Sequence, residues 1–177
     1  AQRVTATLVG AQLYAGFTAS ALASGDPGQT SISGVVLDNQ DRPLPNVTVR
    51  VDGTTRQAKT NAQGQFKITE VPVGPVHLVA DGSTTTAAGE WPTLPYNLVT
   101  IAGADNPLSA PIYMVKLDTA NAVWVGKEDK TLTVPGLPGF AFTVKKGSVT
   151  FPNGDKEGYL SVTPVNASKV PMPPPHG

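Results

Sequence analysis

The 177-residue chain reads as an all-β protein of two tandem β-sandwich units preceded by an extended N-terminal arm. Three observations predict this class. Short runs of β-branched and aromatic residues alternate with polar ones at a period of two, and most runs stop at a Gly, Pro, Asn or Asp turn. Glycine (18) and proline (17) are abundant while charged residues make up 15% of the chain, a balance that favours turns over long solvated helices. The length suits one or two small domains, each able to bury a core.

Residues 1–29 form the arm and its linker. Val4-Thr5-Ala6-Thr7-Leu8 alternates as a strand does. Val9, Leu13, Tyr14 and Phe17 are also spaced for one helical face, so a strand and a helix both remain open, with Thr and Val favouring the strand. Ala23-Ser24-Gly25-Asp26-Pro27-Gly28 is a linker by composition.

Residues 30–83 form the first unit. Ile32 to Leu37 is a β-branched run ending in the polar turn Asp38-Asn39-Gln40-Asp41. Pro43 and Pro45 cannot donate to a ladder and carry the chain over an edge. Val47, Val49 and Val51 alternate with Thr48, Arg50 and Asp52, giving one apolar and one wet face. Asp52-Gly53 and Asn61-Ala62-Gln63-Gly64 supply turns that tolerate positive φ. Phe66 and Ile68 alternate with Lys67 and Thr69, and Val71-Pro72-Val73-Gly74 turns into Val76, Leu78 and Ala80. Val35, Val49, Val51, Phe66, Ile68 and Leu78 are the expected core.

Residues 84–89 lack large apolar side chains and read as an exposed linker. Residues 90–177 form the second unit. Its expected strands lie at 98–101, 112–115, 122–125, 132–134, 140–144, 149–151 and 159–163, with hairpin chemistry at Pro152-Asn153-Gly154-Asp155. Val170-Pro171-Met172-Pro173-Pro174-Pro175 is extended and of polyproline-II type. The sequence stops soon after, at Gly177, so either it is a piece of a longer protein or this unit lacks a strand at its C-terminus, which a strand from another chain could then supply. Val4, Ala6 and Leu8 are the candidate donor residues. Donation to a neighbour would be head-to-tail and would build a filament; pairing within the chain is the alternative.

The first unit resembles the carboxypeptidase regulatory-like domain, a small transthyretin-like β-sandwich. The resemblance covers about 31–82 and is carried by Ile32, Gly34 and Val36, by Pro43-Leu44 with Asn46-Val47, and by Val49 and Val51. It continues in Thr60-Asn61-Ala62, Gly64, Phe66, Pro72, Gly74, Val76 and Leu78. It implies a non-catalytic spacer or interaction module outside the cytoplasm. The expected fold class is therefore all-β with transthyretin-like or Ig-like sandwiches. More faintly, Phe142 to Pro152 and Val170 to Pro175 resemble β-rich segments of large bacterial surface and polymorphic-toxin proteins.

Function classes narrow by elimination. Lys and Arg (13) equal Asp and Glu (13), and no basic stripe suggests a nucleic-acid groove. Residues 6–22 are too polar for a membrane span. There is no cysteine, which excludes disulfides and thiolate chemistry. The chain begins at Ala1, as a mature secreted product would after signal removal. Its two histidines, His77 and His176, are far apart and have no second ligand at metal spacing. His77 should face solvent. No nucleophile elbow and no phosphate-binding glycine loop occurs. Hence no catalytic, cofactor or metal residue is assigned. Lys59 and Lys67 read as solvated lysines rather than crosslinking ones. Asp38, Asn39 and Asp41, with Asp105 and Asn106, are the oxygen-rich turns a calcium ion would need, although such turns also form for conformational reasons alone.

The expected function is a non-catalytic extracellular structural module of a surface, adhesin or fibre assembly, with protein partners that include copies of itself. The alternative is a carbohydrate-binding or accessory module of a larger secreted enzyme or toxin. Trp91 and Tyr96, in the proline-rigid run 91–96, are its candidate glycan platform. The opposing expectation is that these rings plug a sandwich end. Asn46-Val47-Thr48 and Asn166-Ala167-Ser168 match the glycan acceptor pattern.

Overall fold

Val47, Val49 and Val51 are all buried, and the sheet that carries them explains the rest of the first unit. The computed structural model describes residues 27–170 and the pairing of residues 8–9 with 12–13. The strands are β1 (Leu8–Val9), β2 (Gln12–Leu13), β3 (Ser31–Asp38), β4 (Thr48–Val51), β5 (Gln57–Lys59), β6 (Gln65–Thr69) and β7 (Gly74–Asp81). They continue as β8 (Thr93–Thr100), β9 (Asp105–Pro107), β10 (Ile112–Met114), β11 (Val123–Val125), β12 (Lys130–Thr133), β13 (Ala141–Val144) and β14 (Gly158–Leu160). Short 3-10 turns are the only helical pieces among the described residues. The protein is all-β.

One sheet runs β5-β4-β7-β8, antiparallel throughout. The other places β3 between β6 and the pair β9, β10. β9 runs parallel to the first half of β3 and β10 parallel to its second half. The two sheets enclose one core that includes Ile32, Val36, Val49, Val51, Phe66, Ile68, Leu78, Ile112 and Met114.

β3 turns its even-numbered residues inward. Ile32, Val36 and Asp38 are buried while Val35 is only half-buried, so Val36 takes the core place expected of Val35. The pairing with β6 sets this parity. Ile32 lies opposite Ile68, and Gly34 lies opposite Phe66. A Cβ at Gly34 would sit 2.9 Å from the Phe66 ring, so the ring lies across the bare glycine backbone and covers it. The remaining expected core residues, Val49, Val51, Phe66, Ile68 and Leu78, are buried.

The run 84–89 is tied down rather than loose. Thr84 Oγ1 donates to the Asn46 carbonyl (2.8 Å), and Thr85 Oγ1 donates to that of Pro45 (2.6 Å). The strands beyond it return to the first unit. β8 pairs along the whole of β7, and β9 and β10 pair with β3. The boundary expected at 84–89 therefore runs through the first sandwich. The physical reason is that β7 and β3 each have an edge that short local hairpins leave unpaired.

The second region is smaller. β11 pairs with β14 and β12 with β13, both antiparallel, and Val125, Leu132 and Val144 from these two ribbons share one core. Residues 149–151, expected as a strand, are not one. Val149 and Phe151 instead pack on that core, and the chain turns at Gly154 (φ 88°). Trp124 lies directly opposite Tyr159, the rings meeting edge to face at 5.1 Å.

Candidate assembly site

β8 has a paired side and a free side. The Asp52 N–H donates to the His77 carbonyl at 2.8 Å, so odd-numbered residues of β7 turn their backbone groups toward β4. The even-numbered ones face β8, where Leu94, Tyr96 and Leu98 lie opposite Ala80, Leu78 and Val76. Asn97 and Val99 of β8 therefore turn their N–H and C=O groups to the open side of the sheet. Pro95 faces that side too and has no N–H to leave unpaired, the usual place for proline in a sheet. The Ile101 N–H goes instead to the Asn106 side chain at 2.7 Å.

Between this free side and the segment 105–113 runs a groove of about 750 Å³. Its walls include Tyr96, Leu98, Leu108, Pro111, Ile112 and Tyr113. Val99 and Ile101 at its rim are 69% and 59% exposed. Large apolar side chains at this exposure beside an unpaired strand mark a surface suited to another chain segment. Sequence reading missed the groove, because residues 98–101 and 112–115 were assigned to a second unit. The available signal was Pro95 inside a strand-like run, which marks an edge.

The residues expected to bind lie elsewhere. Val4 and Ala6 fall outside the described residues. Leu8 belongs to β1 and pairs with Leu13 of β2 in the same chain. Trp91 is 9% exposed, sits among the core residues beside Met114 and Leu94, and its indole N–H donates to the Ala87 carbonyl at 3.3 Å. Tyr96 is half-buried on the inward face of β8, where burial pushes its hydroxyl up to about 12. A sugar stacks on an exposed ring face, and Trp91 offers almost none. Both rings pack with the sandwich core.

The oxygen-rich turns are occupied by their own chain. Burial pushes the Asp38 carboxyl up. The backbone N–H groups of Arg42 and Gln40, with the Arg42 guanidinium at 2.7 Å, outweigh that and hold it below the ordinary aspartate value. The hydroxyls of Ser31 (2.5 Å) and Ser33 (2.6 Å) lower Asp105 against its burial, with Lys67 adding to the effect. The Ser83 hydroxyl (2.6 Å) does the same at Asp81. No three His, Cys, Asp or Glu residues gather at metal spacing among the described residues. His77 faces solvent, 3.5 Å from Asp52; His176 lies outside the described residues.

These three carboxylates predict how acid acts on the fold. Each holds a proton more weakly folded than unfolded. Their contribution is thus fully present above the unfolded value and is lost as pH falls through the lower folded values. The urea midpoint is expected to stay level down to about pH 5 and to fall steadily below the ordinary value of 3.8. A chain with Asp38→Asn, Asp81→Asn and Asp105→Asn should lose most of that dependence, keeping the part due to Asp129, which the Lys145 side chain also holds below the ordinary value. A parent midpoint that does not move down to pH 2.5, an acid limit of about one unit or more below ordinary aspartate, would refute the assignment.

The turn at 38–41 holds a distant segment. Lys169 Nζ meets Asp41 at 2.6 Å, the Asn39 amide donates to the Lys169 carbonyl at 3.3 Å, and the Asn166 N–H donates to Asn39 Oδ1 at 3.3 Å. Ser168 and Val170 are thereby brought to the groove wall.

Two layers of this kind, with β8 and β9–β10 leaving one side open, define a small β-sandwich module. Residues 31–102 match the carboxypeptidase regulatory-like domain, from the start of β3 to just past β8. The match extends twenty residues beyond the span that the sequence resemblance covered. Among curated proteins none matches. Among solved structures, the chain is similar to a type II cohesin–X-dockerin complex from Acetivibrio cellulolyticus, an N-terminal interface mutant. Identity is 22%, covering 50% of this chain and 59% of that one, with a TM-score of 0.39. The C-terminal interface mutant of that complex gives 22%, 48%, 56% and 0.34 for the same quantities. The TIE protein of Bacillus anthracis is 12% identical over 75% of this chain and 26% of its own length, with a TM-score of 0.40. All three scores are too low for a shared fold to follow over the chain. No helix among the described residues is long and apolar enough to cross a membrane.

Proposed function

We propose that this chain is a non-catalytic extracellular structural module that joins protein partners through the open side of its first sandwich. The observation that carries the reading is the apolar groove beside the free side of β8, with Asn97 and Val99 presenting backbone groups to it. An incoming strand would bond to those groups and place alternate side chains in the groove, as in β-strand addition generally. The regulatory-like domain at 31–102 supports a module of this kind.

The finer form of the proposal names the partner as another copy, donating Val4, Ala6 and Leu8 from its arm. Leu8 would then exchange its pairing with Leu13 for one with a neighbour's β8. Such a contact is heterologous and does not close, so it makes chains of subunits. Native mass measured over rising concentration is expected to climb from the 18.3 kDa single chain to a ladder of multiples. The double substitution Val4→Asp and Ala6→Asp should abolish the ladder, since it places charges on the apolar face of the donor. A single-chain mass at every concentration would overturn the donor reading.

A further inference from the structure

Lys169 is out of character for its place in the chain. Residues 164–168 and Val170 are exposed, yet the Lys169 side chain between them is only 21% exposed. Lysine is almost never turned inward without a partner. Here Nζ donates to Asp41 Oδ2 at 2.6 Å and to the Asn39 carbonyl at 3.4 Å. The Asn39 side chain adds two bonds at 3.3 Å each, donating to the Lys169 carbonyl and accepting from the Asn166 N–H. Among the described residues no strand pairing reaches 166–170.

The turn that receives this segment is formed by its own bonds. The Asp38 carboxylate accepts from the N–H groups of Gln40 (2.8 Å) and Arg42 (2.9 Å). Asp41 sits at φ 61°, its N–H on the Asp38 carbonyl at 3.1 Å. Residues 166–170 are thus buckled onto a fixed turn by a few polar contacts, and they carry Ser168 and Val170 into the groove wall. We propose that 166–170 is a detachable wall: it docks and releases as one piece at the turn 38–41, and the groove holds a second chain only while the wall is docked.

The buckle is built to open. The Asp41 side chain is 55% exposed, so salt screens its pairing with Lys169. Hydrogen bonds of 3.3–3.4 Å are long and correspondingly weak. The groove itself is lined by apolar side chains such as Leu98, Leu108 and Tyr113, and apolar burial is not screened by salt. Salt should therefore loosen the groove's grip only by opening the buckle. The wall's part in assembly rests on the groove reading above; its docking at 38–41 does not.

Trypsin cuts after a lysine only when that side chain can reach into the protease, so cleavage after Lys169 reports release of the wall. Three full-length chains are compared in dilute solution. They are the parent, Lys169→Arg, which keeps both charge and cleavage site, and the double variant Asn39→Ala with Asp41→Asn. Asparagine at 41 tolerates the left-handed backbone. Mass spectrometry follows the fragment that begins at Val170. The double variant should be cut at least about fivefold faster than the parent, and Lys169→Arg at about the parent rate. Cleavage after Lys146, an exposed lysine of the second region, should be equal in all three and checks that the fold is intact. Equal rates after residue 169 in parent and double variant overturn the detachable wall. Native mass over rising concentration then reads the groove. Multimers of the double variant should need at least about fivefold more protein. Raising NaCl from about 0.1 M to about 1 M, which shortens the screening length to about 3 Å, should move the parent's threshold the same way and leave the variant's where it was. Faster cleavage with an unchanged threshold overturns the wall's control of the groove. Faster cleavage with single-chain mass in every sample keeps the detachable segment but sinks the assembly reading, and the control with it.

Discussion

Phe66→Ala is expected to lower the unfolding free energy by about 3–5 kcal/mol, the usual range for removing a buried aromatic ring. The ring is 5% exposed and lies on β6 opposite Gly34 of β3. Truncation removes its transfer energy. It also leaves a gap that Gly34 cannot fill, since that position has no side chain to lean in. A small domain holds only about 5–15 kcal/mol in all, so the loss should be plain in a urea melt. The control is Phe140→Ala, at an exposed ring, expected to stay within about 0.5 kcal/mol of the parent. A Phe66→Ala loss no larger than the control would show that this ring is not part of the core.

Gly64→Ala should be the most damaging single-methyl change in the first unit. Gly64 has φ of 71°, and a Cβ there would come 2.4 Å from the Val36 carbonyl oxygen. That carbonyl accepts from the Leu44 N–H at 3.1 Å, while the Val36 N–H donates to the Gly64 carbonyl at 2.8 Å. Backbone meets backbone, so nothing can swing aside. Left-handed strain of about 1–2 kcal/mol and an overpacking term of about 1–3 kcal/mol then add. Gly53→Ala separates the two effects. Gly53 also has φ of 71° but has nothing within 4 Å of its Cβ position, so only the strain, about 1–2 kcal/mol, should appear. Equal losses in the two variants would rule out the contact at Gly64.

Much of the first sandwich is legible in the chain because its signals are local. Val47, Val49 and Val51 alternate and are buried. Asn61 forms the expected turn, its side-chain oxygen accepting from the Gln63 and Gln65 N–H groups at 2.9 Å each. His77 lies on the wet face because Val76 and Leu78 take the other. Parity failed where the pattern was ambiguous. Val35, Val36 and Leu37 are all apolar, so nothing within β3 says which one points inward. Its pairing with β6, with Phe66 on Gly34, decides for Val36.

The candidate site was far less legible. Trp91 sits in a proline-rigid run that looks exposed, yet its indole is buried because the core beside Gly82 and Met114 has room for one large ring. The groove needs β8 on one sheet and β9–β10 on the other, and no local pattern says that strands after residue 89 return to strands before it.

By itself the sequence determined the all-β class, the turns, the alternating faces of β4, β6 and β7, and the regulatory-like character of the first unit. These depend on residue type and on spacing along a single strand, which the chain states directly. Only the tertiary structure decided the partners of β8, β9 and β10, the inward parity of β3, the burial of Trp91 and the open groove. Those depend on which distant edges meet, and an edge records its need for a partner without naming which strand will come.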